Sequence, residues 1–158
     1  MNKAAVVQQV IVELEQKITT LLSAMEQTVD AATNEETIPD NKYDTLALEA
    51  AYLAHGQAMR LEAIKKDIAT LRHLVIRTFD HDTPVGLSAM VELEDDQEVL
   101  SRYLLLPCGG GVSIVAEGIR VVTPESPLGR ALVGRLLDDE IALQVGERVT
   151  HHVIVNIV

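Results

Sequence analysis

The sequence predicts an α+β protein, with a hairpin of two long helices followed by a small antiparallel sheet that carries one short helix. Three observations lead there. Residues 1–75 hold one proline, Pro39, and one glycine, Gly56, whereas residues 76–158 hold the other four prolines and eight glycines. The first stretch keeps a heptad spacing of apolar residues. The second alternates short apolar runs with turn residues. The expected division is therefore a coiled-coil hairpin over 1–75 and a sheet domain over 76–158. At 158 residues and 47% apolar, the chain has the material for a core.

The first helix is read from Val7, Ile11, Leu14, Ile18, Leu21 and Met25, which are spaced 4, 3, 4, 3, 4. That is one apolar seam seeking a partner helix. Glu13, Glu15, Gln16, Lys17 and Glu26 occupy the other face. The pattern fades after Met25 and breaks at residues 33–42, where Pro39 removes a donor and disfavours helix at Ile38. A second helix is expected from Tyr43 to Val75, with its seam at Leu61, Ile64, Ile68, Leu71 and Val75. Continued backwards, the same spacing meets Gln57, Ala54, Ala50 and Ala47, so the hairpin narrows towards its turn. Arms of about 30 residues reach roughly 45 Å.

After the hairpin, strands are expected at 89–94 and 98–106 around an Asp95-Asp96 turn, then a loop at Pro107-Cys108-Gly109-Gly110-Gly111. A second hairpin pairs 112–115 with 119–122 around Glu117-Gly118. Ser126 or Thr123 caps a short helix, Leu128 to Leu136. Strands at 140–145 and 151–158 close the sheet around Gly146-Glu147.

Composition excludes several functions. Net charge is −11 and aromatics are 3%, with no Trp. A groove that holds nucleic acid needs basic residues for phosphates and rings for bases. No direct sequence-specific nucleic-acid binding is expected. A partner that is itself basic inside remains compatible with the charge. One cysteine, Cys108, allows neither an intramolecular disulfide nor a cysteine-rich zinc site. No window has the length of a membrane span or a signal core, so a cytoplasmic protein is expected.

The most specific text runs from Val122 through Thr123-Pro124-Glu125-Ser126-Pro127-Leu128-Gly129-Arg130-Ala131-Leu132 and Gly134 to Asp139-Glu140-Ile141. Ser126 suits an N-cap, Pro127 the first helical position, and Gly134 a left-handed stop. This stretch resembles the C-terminal domain of the bacterial Gre transcript cleavage factors. The layout also resembles that family, in which an N-terminal antiparallel coiled coil precedes an FKBP-like domain. Glu62-Ala63-Ile64-Lys65-Lys66-Asp67-Ile68 is similar to the family's second helix. The resemblance implies RNA polymerase as partner, with the C-terminal domain docked at the rim of its secondary channel. Ser126, Pro127, Leu128 and Arg130 are the docking candidates. It implies a regulator with no active site of its own, the reaction belonging to the polymerase.

The departure lies at the tip. Cleavage-active members carry Gly-Asp-Leu-x-Glu-Asn-Ala-Glu-Tyr there, and the resemblance implies that its Asp and first Glu support a magnesium ion in the polymerase. Registered through Glu62, Asp44 stands at the Asp and Ala47 at the Glu. A shift by one residue aligns Tyr52 with the family tyrosine but puts Thr45 at the Asp. Neither register restores both acids. Glu35, Glu36, Asp40 and Asp44 are the tip acids available, with Asp44 the candidate ligand for a Mg2+ shared with the polymerase. Magnesium can take one or two protein carboxylates and lower the pKa of a water. A polar turn between helices is also what solvation alone produces, and acids favour helix N-termini.

Other candidates are weaker. On a strand, His151 and His152 point to opposite faces and cannot chelate one ion. His55, beside Gly56 on a helix, reads as packing or surface. Gly109–Gly111 opens no helix and lacks a Lys or Ser/Thr partner for phosphate. Cys108 has no evident base beside it. Two rival functions stand beside the polymerase reading. A prolyl isomerase or chaperone of FKBP type needs an aromatic-lined pocket, for which only Tyr103 and Phe79 are at hand. A coiled-coil oligomerisation module could use Ala47, Ala50 and Ala54 to accept a second hairpin. Oligomeric state is not readable from the pattern.

Overall fold

A computed structural model describes residues 2–33 and 43–158. The turn expected at 33–42 falls almost wholly outside the described residues, and with it Glu35, Glu36, Pro39 and Asp40. The chain divides into two compact units, Val12–Ala69 and Met1–Ile11 with Thr70–Val158.

Helix α1 spans Lys3–Thr33 and α2 spans Tyr43–Arg72. No proline or glycine interrupts α1, and Asn2 Oδ1 accepts from the Ala5 N–H at 3.3 Å, closing its first turn. Thr19 and Thr28 donate their hydroxyls to the carbonyls of Glu15 and Ala24, four residues back, at 3.3 and 2.9 Å. Those bonds keep polar β-branched residues inside a helix.

In the helical unit the predicted seam is fully buried only at Leu14, Leu61 and Ile68. It is half-buried at Ile18, Leu21, Met25 and Ile64, and again at Gln57, Ala54 and Ala50, while Ala47 is exposed. The seam therefore lies where the spacing put it, and small side chains leave it open. Expected as the last seam residue, Val75 lies beyond the helix and is 77% exposed. The helix ends at Arg72 because His73 and Leu74 bond three residues back, to the carbonyls of Thr70 and Leu71, which tightens the last turn.

In the other unit, six strands are ordered β3-β4-β2-β1-β6-β5. They are β1 Met90–Asp95, β2 Leu100–Leu105, β3 Ser113–Ile114, β4 Ile119–Val122, β5 Glu140–Val145 and β6 Arg148–Ile157. The expected hairpins form: β1 with β2, β3 with β4, and β5 with β6 are all antiparallel. The sheet is nevertheless mixed, not antiparallel throughout, because β4 lies parallel to β2, with Arg102 beside Ile119. The loop from Pro107 carries the chain past the edge, and β3 then returns β4 between itself and β2. Alternation tells which face a residue takes, and says nothing of which strand it sits beside.

One face of the sheet builds the main core, with Val91, Leu93, Leu105, Val122, Ile141 and Ile154 packed with Phe79, Val85 and Leu132. Alternate residues Met90, Leu104 and Val121 are also buried, so both faces are covered. In the same unit, α1 buries Val6, Val7, Val10 and Ile11. Such a stripe is wider than a heptad seam and requires partners on two sides.

Helix α3, Pro127–Leu132, is shorter than expected. Gly134 takes φ +81 and donates its N–H to the Val85 carbonyl at 2.9 Å, while Val85 donates to Arg135 at 2.8 Å. This strand-like exchange claims the backbone that a further helical turn would need. Of the two predicted caps, Ser126 is the one used: its Oγ accepts from the Gly129 N–H at 3.0 Å and donates to the Thr123 carbonyl at 2.7 Å.

Phe79 is a structural residue that periodicity missed. Its buried ring has Lys3 Nζ at 4.8 Å and the Arg77 guanidinium at 5.1 Å from its centroid. Lys3 also donates to the carbonyls of Arg77 at 2.5 Å and Ser88 at 3.1 Å. Burial, with Arg77 nearby, holds the Lys3 amine below its usual range. Ser88, buried at φ +70, takes the Arg77 N–H on its Oγ at 2.8 Å.

Two outcomes are expected. A Cβ on Gly129 would lie 1.8 Å from the Thr123 carbonyl oxygen. Gly129→Ala should cost about 3 kcal/mol in urea denaturation, since backbone must move. Asp95 accepts the Val99 and Gln97 N–H groups at 2.9 and 2.8 Å, and those bonds, with the His152 charge, pull its carboxyl below the ordinary 3.8. Stabilisation from this turn is therefore present above that value and lost as pH falls through the lower, folded-state one. A side-chain carbon titration by NMR should put the Asp95 midpoint under 3.8; a midpoint at or above it would show the turn bonds absent.

Candidate functional site

The docking candidates gather at the start of α3. Ser126 and Gly129 are consumed by the cap, and Leu128 is half-buried against the main core. Pro127 and Arg130 are exposed, on the same first turn. Pro127 has a local job, since its missing N–H lies where a helix has no internal acceptor for it. The Arg130 N–H donates to the Ser126 carbonyl at 2.9 Å, while its guanidinium makes no ion pair or hydrogen bond among the described residues. The motif thus splits into residues that build the turn and a pair presented to solvent.

Beside α3 lies a cleft of about 600 Å³, lined by Tyr103, Arg120, Val122, Leu128, Leu143 and Val145 among others. β4 is next to one edge of the strand order and β5 forms the other edge, so the sheet must curl to bring Arg120 and Val145 to one cleft. That curl is what sequence reasoning missed, and alternation along single strands carries no signal for it. Among its described lining residues Tyr103 is the sole aromatic, while Phe79 belongs to the core.

Of the tip acids, Glu35, Glu36 and Asp40 lie outside the described residues. Asp44 falls in the first turn of α2, and Ala47 is exposed on the next. Ala47 has no side-chain oxygen. Among the described residues there is no group of three His, Cys, Asp or Glu side chains arranged for a metal.

The remaining candidates are placed as follows. His151 Nδ1 stands 3.4 Å from Glu140 Oε1 across the β5–β6 pair, and His152 Nε2 lies 3.2 Å from Thr150 Oγ1. The two rings thus have separate partners, as neighbours on a strand should. Cys108 is half-buried, with its thiol not in a disulfide. Gly109 and Gly111 take positive φ in the loop after β2 and lead to a strand, not a helix. No helix among the described residues is long and apolar enough to cross a membrane.

No protein-family model matches the chain, and no curated protein does. Solved structures do resemble it. The crystal structure of GreA factor homolog 1 (Gfh1) of Thermus thermophilus is 17% identical, covers 98% of this chain and 94% of its own, and overlaps with a TM-score of 0.41. Thermus aquaticus Gfh1 is 19% identical, with 99% and 96% covered and a TM-score of 0.43. The transcription elongation factor GreA/GreB from Nitrosomonas europaea is 18% identical, with 69% and 90% covered and a TM-score of 0.40. These solved structures are of Gfh1 and GreA/GreB transcription factors, similar to this chain at low identity and modest overlap.

Proposed function

We propose that this chain binds bacterial RNA polymerase and modulates transcription elongation. The sheet-bearing unit docks at the rim of the secondary channel through Pro127, Leu128 and Arg130 with Ser126 shaping their turn, and the helix pair enters the channel. The observation that carries the reading is the split within the α3 motif. Its buried half is explained by folding, whereas the Arg130 side chain makes no hydrogen bond or ion pair among the described residues and is presented beside Pro127 on a capped turn. A net charge of −11 suits a partner whose interior is basic. The polymerase keeps the chemistry, and this chain supplies position and charge.

At the tip, two carboxylates neutralise developing charge and hold a metal-bound water better than one. With Ala47 at one of the two positions, the arm is a poor metal donor and acts chiefly by occupying the channel. Any magnesium is the polymerase's own.

Two measurements test this. Full-length protein should co-purify with core polymerase, and Arg130→Glu with Pro127→Ala should weaken that binding about tenfold or more while leaving the melting temperature within a few degrees. Undiminished binding would remove the docking surface from consideration. On backtracked complexes, stimulation of RNA cleavage should be weak, lost in Asp44→Asn and raised in Ala47→Glu. If Glu35→Gln/Glu36→Gln abolishes it and Asp44→Asn does not, the working acids lie earlier in the turn.

A further inference from the structure

We infer that the helical unit carries a self-complementary surface on α2, and that its occupant is the α2 of a second copy of this chain, running antiparallel across a two-fold axis. This inference does not rest on the polymerase reading.

A cleft of about 750 Å³ opens along one side of the α1–α2 pair, floored on α2 by Leu53, Gly56, Gln57 and Arg60. Two features of it have no explanation among the described residues of one chain. First, Gly56 sits in the middle of a long helix, where glycine is the least favourable residue after proline. A Cβ placed there would meet nothing within 4 Å, so no neighbour among the described residues demands the small residue. Second, Leu53, one turn away, is 56% exposed.

The charges decide which partner fits. Glu49, Leu53, Gly56 and Arg60 are spaced 4, 3, 4, a heptad seam on a face of α2 distinct from the one turned to α1. Glu49 and Arg60 have no ion-pair partner among the described residues. They lie eleven residues apart, about 16 Å along the helix. The midpoint between them is also the midpoint between Leu53 and Gly56. A two-fold axis through that point sets Leu53 over the open side of the copy's Gly56, and Glu49 against the copy's Arg60, each contact made twice. A surface with acid at one end, base at the other and a knob beside a hole between them is complementary to its own inverse, the condition for an isologous dimer.

The test is sedimentation equilibrium of the full chain, with helicity of each variant followed by circular dichroism. Wild type should show a concentration-dependent dimer. Glu49→Arg and Arg60→Glu should each weaken it about tenfold or more, because one reversal turns both symmetric pairs repulsive. The double variant Glu49→Arg/Arg60→Glu should recover the wild-type constant within about threefold, since the pair is restored with its signs exchanged. Gly56→Leu, which fills the hole with a better helix former, should also weaken the dimer about tenfold at unchanged or higher helicity. A wild-type protein that stays monomeric at millimolar concentration overturns the inference. So does a dimer that the double reversal fails to restore. Should Gly56→Leu lose helicity, the charge-reversal set decides alone.

Discussion

No side chain can stand at position 129, because the Thr123 carbonyl oxygen occupies the place where a Cβ would be. Much of what the sheet-bearing unit offers depends on that close approach. It lets the chain turn back on itself between β4 and α3 within a few residues. Ser126 then reaches both the Thr123 carbonyl and the Gly129 N–H, and Leu132 enters the core completely. Leu128 follows it to the core edge, so the outer side of the turn is left to Pro127 and Arg130. One backbone contact thus connects the packing of the core to the presentation of a surface.

The helical unit is governed by a different economy. Its seam is closed by Leu14, Leu61 and Ile68 and then thins to alanines and a half-buried glutamine. A helix pair alone buries little, and most helical stability in proteins comes from packing of an apolar face. Yet Leu48, Tyr52, Leu53 and Met59 of α2 are all more than half exposed. The small residues of the seam leave an open, partly apolar side. Entry into a channel and pairing with a second copy would draw on the same slender, underfilled unit, so occupation of one would bear on the other.

The two long helices, the three hairpin pairings and the cap at Ser126 were all legible as local patterns. They depend on interactions between residues near in sequence: heptad spacing, turn chemistry, and the fit of Ser-Pro to a helix start. Where reading along the chain misjudged an element, a distant partner had intervened. Helix α3 ends at Leu132 because Val85 takes the backbone of Gly134 and Arg135. Phe79 is no stray ring but the plate beneath Lys3 and Arg77, one from each side of a long separation in sequence. The candidate site was half legible. The motif at 126–130 was visible, whereas its division into buried and presented residues was not.

By itself, then, the sequence determined the order of elements, the seam of the helix pair and the faces of the strands. Each follows from side-chain chemistry at fixed short spacing. Only the tertiary structure decided that β4 lies parallel to β2, that the sheet curls until Arg120 and Val145 line one cleft, and that Gly56 faces open space. Strand neighbours, curvature and voids are set by contacts between residues far apart in the chain, and no periodicity within one segment records them.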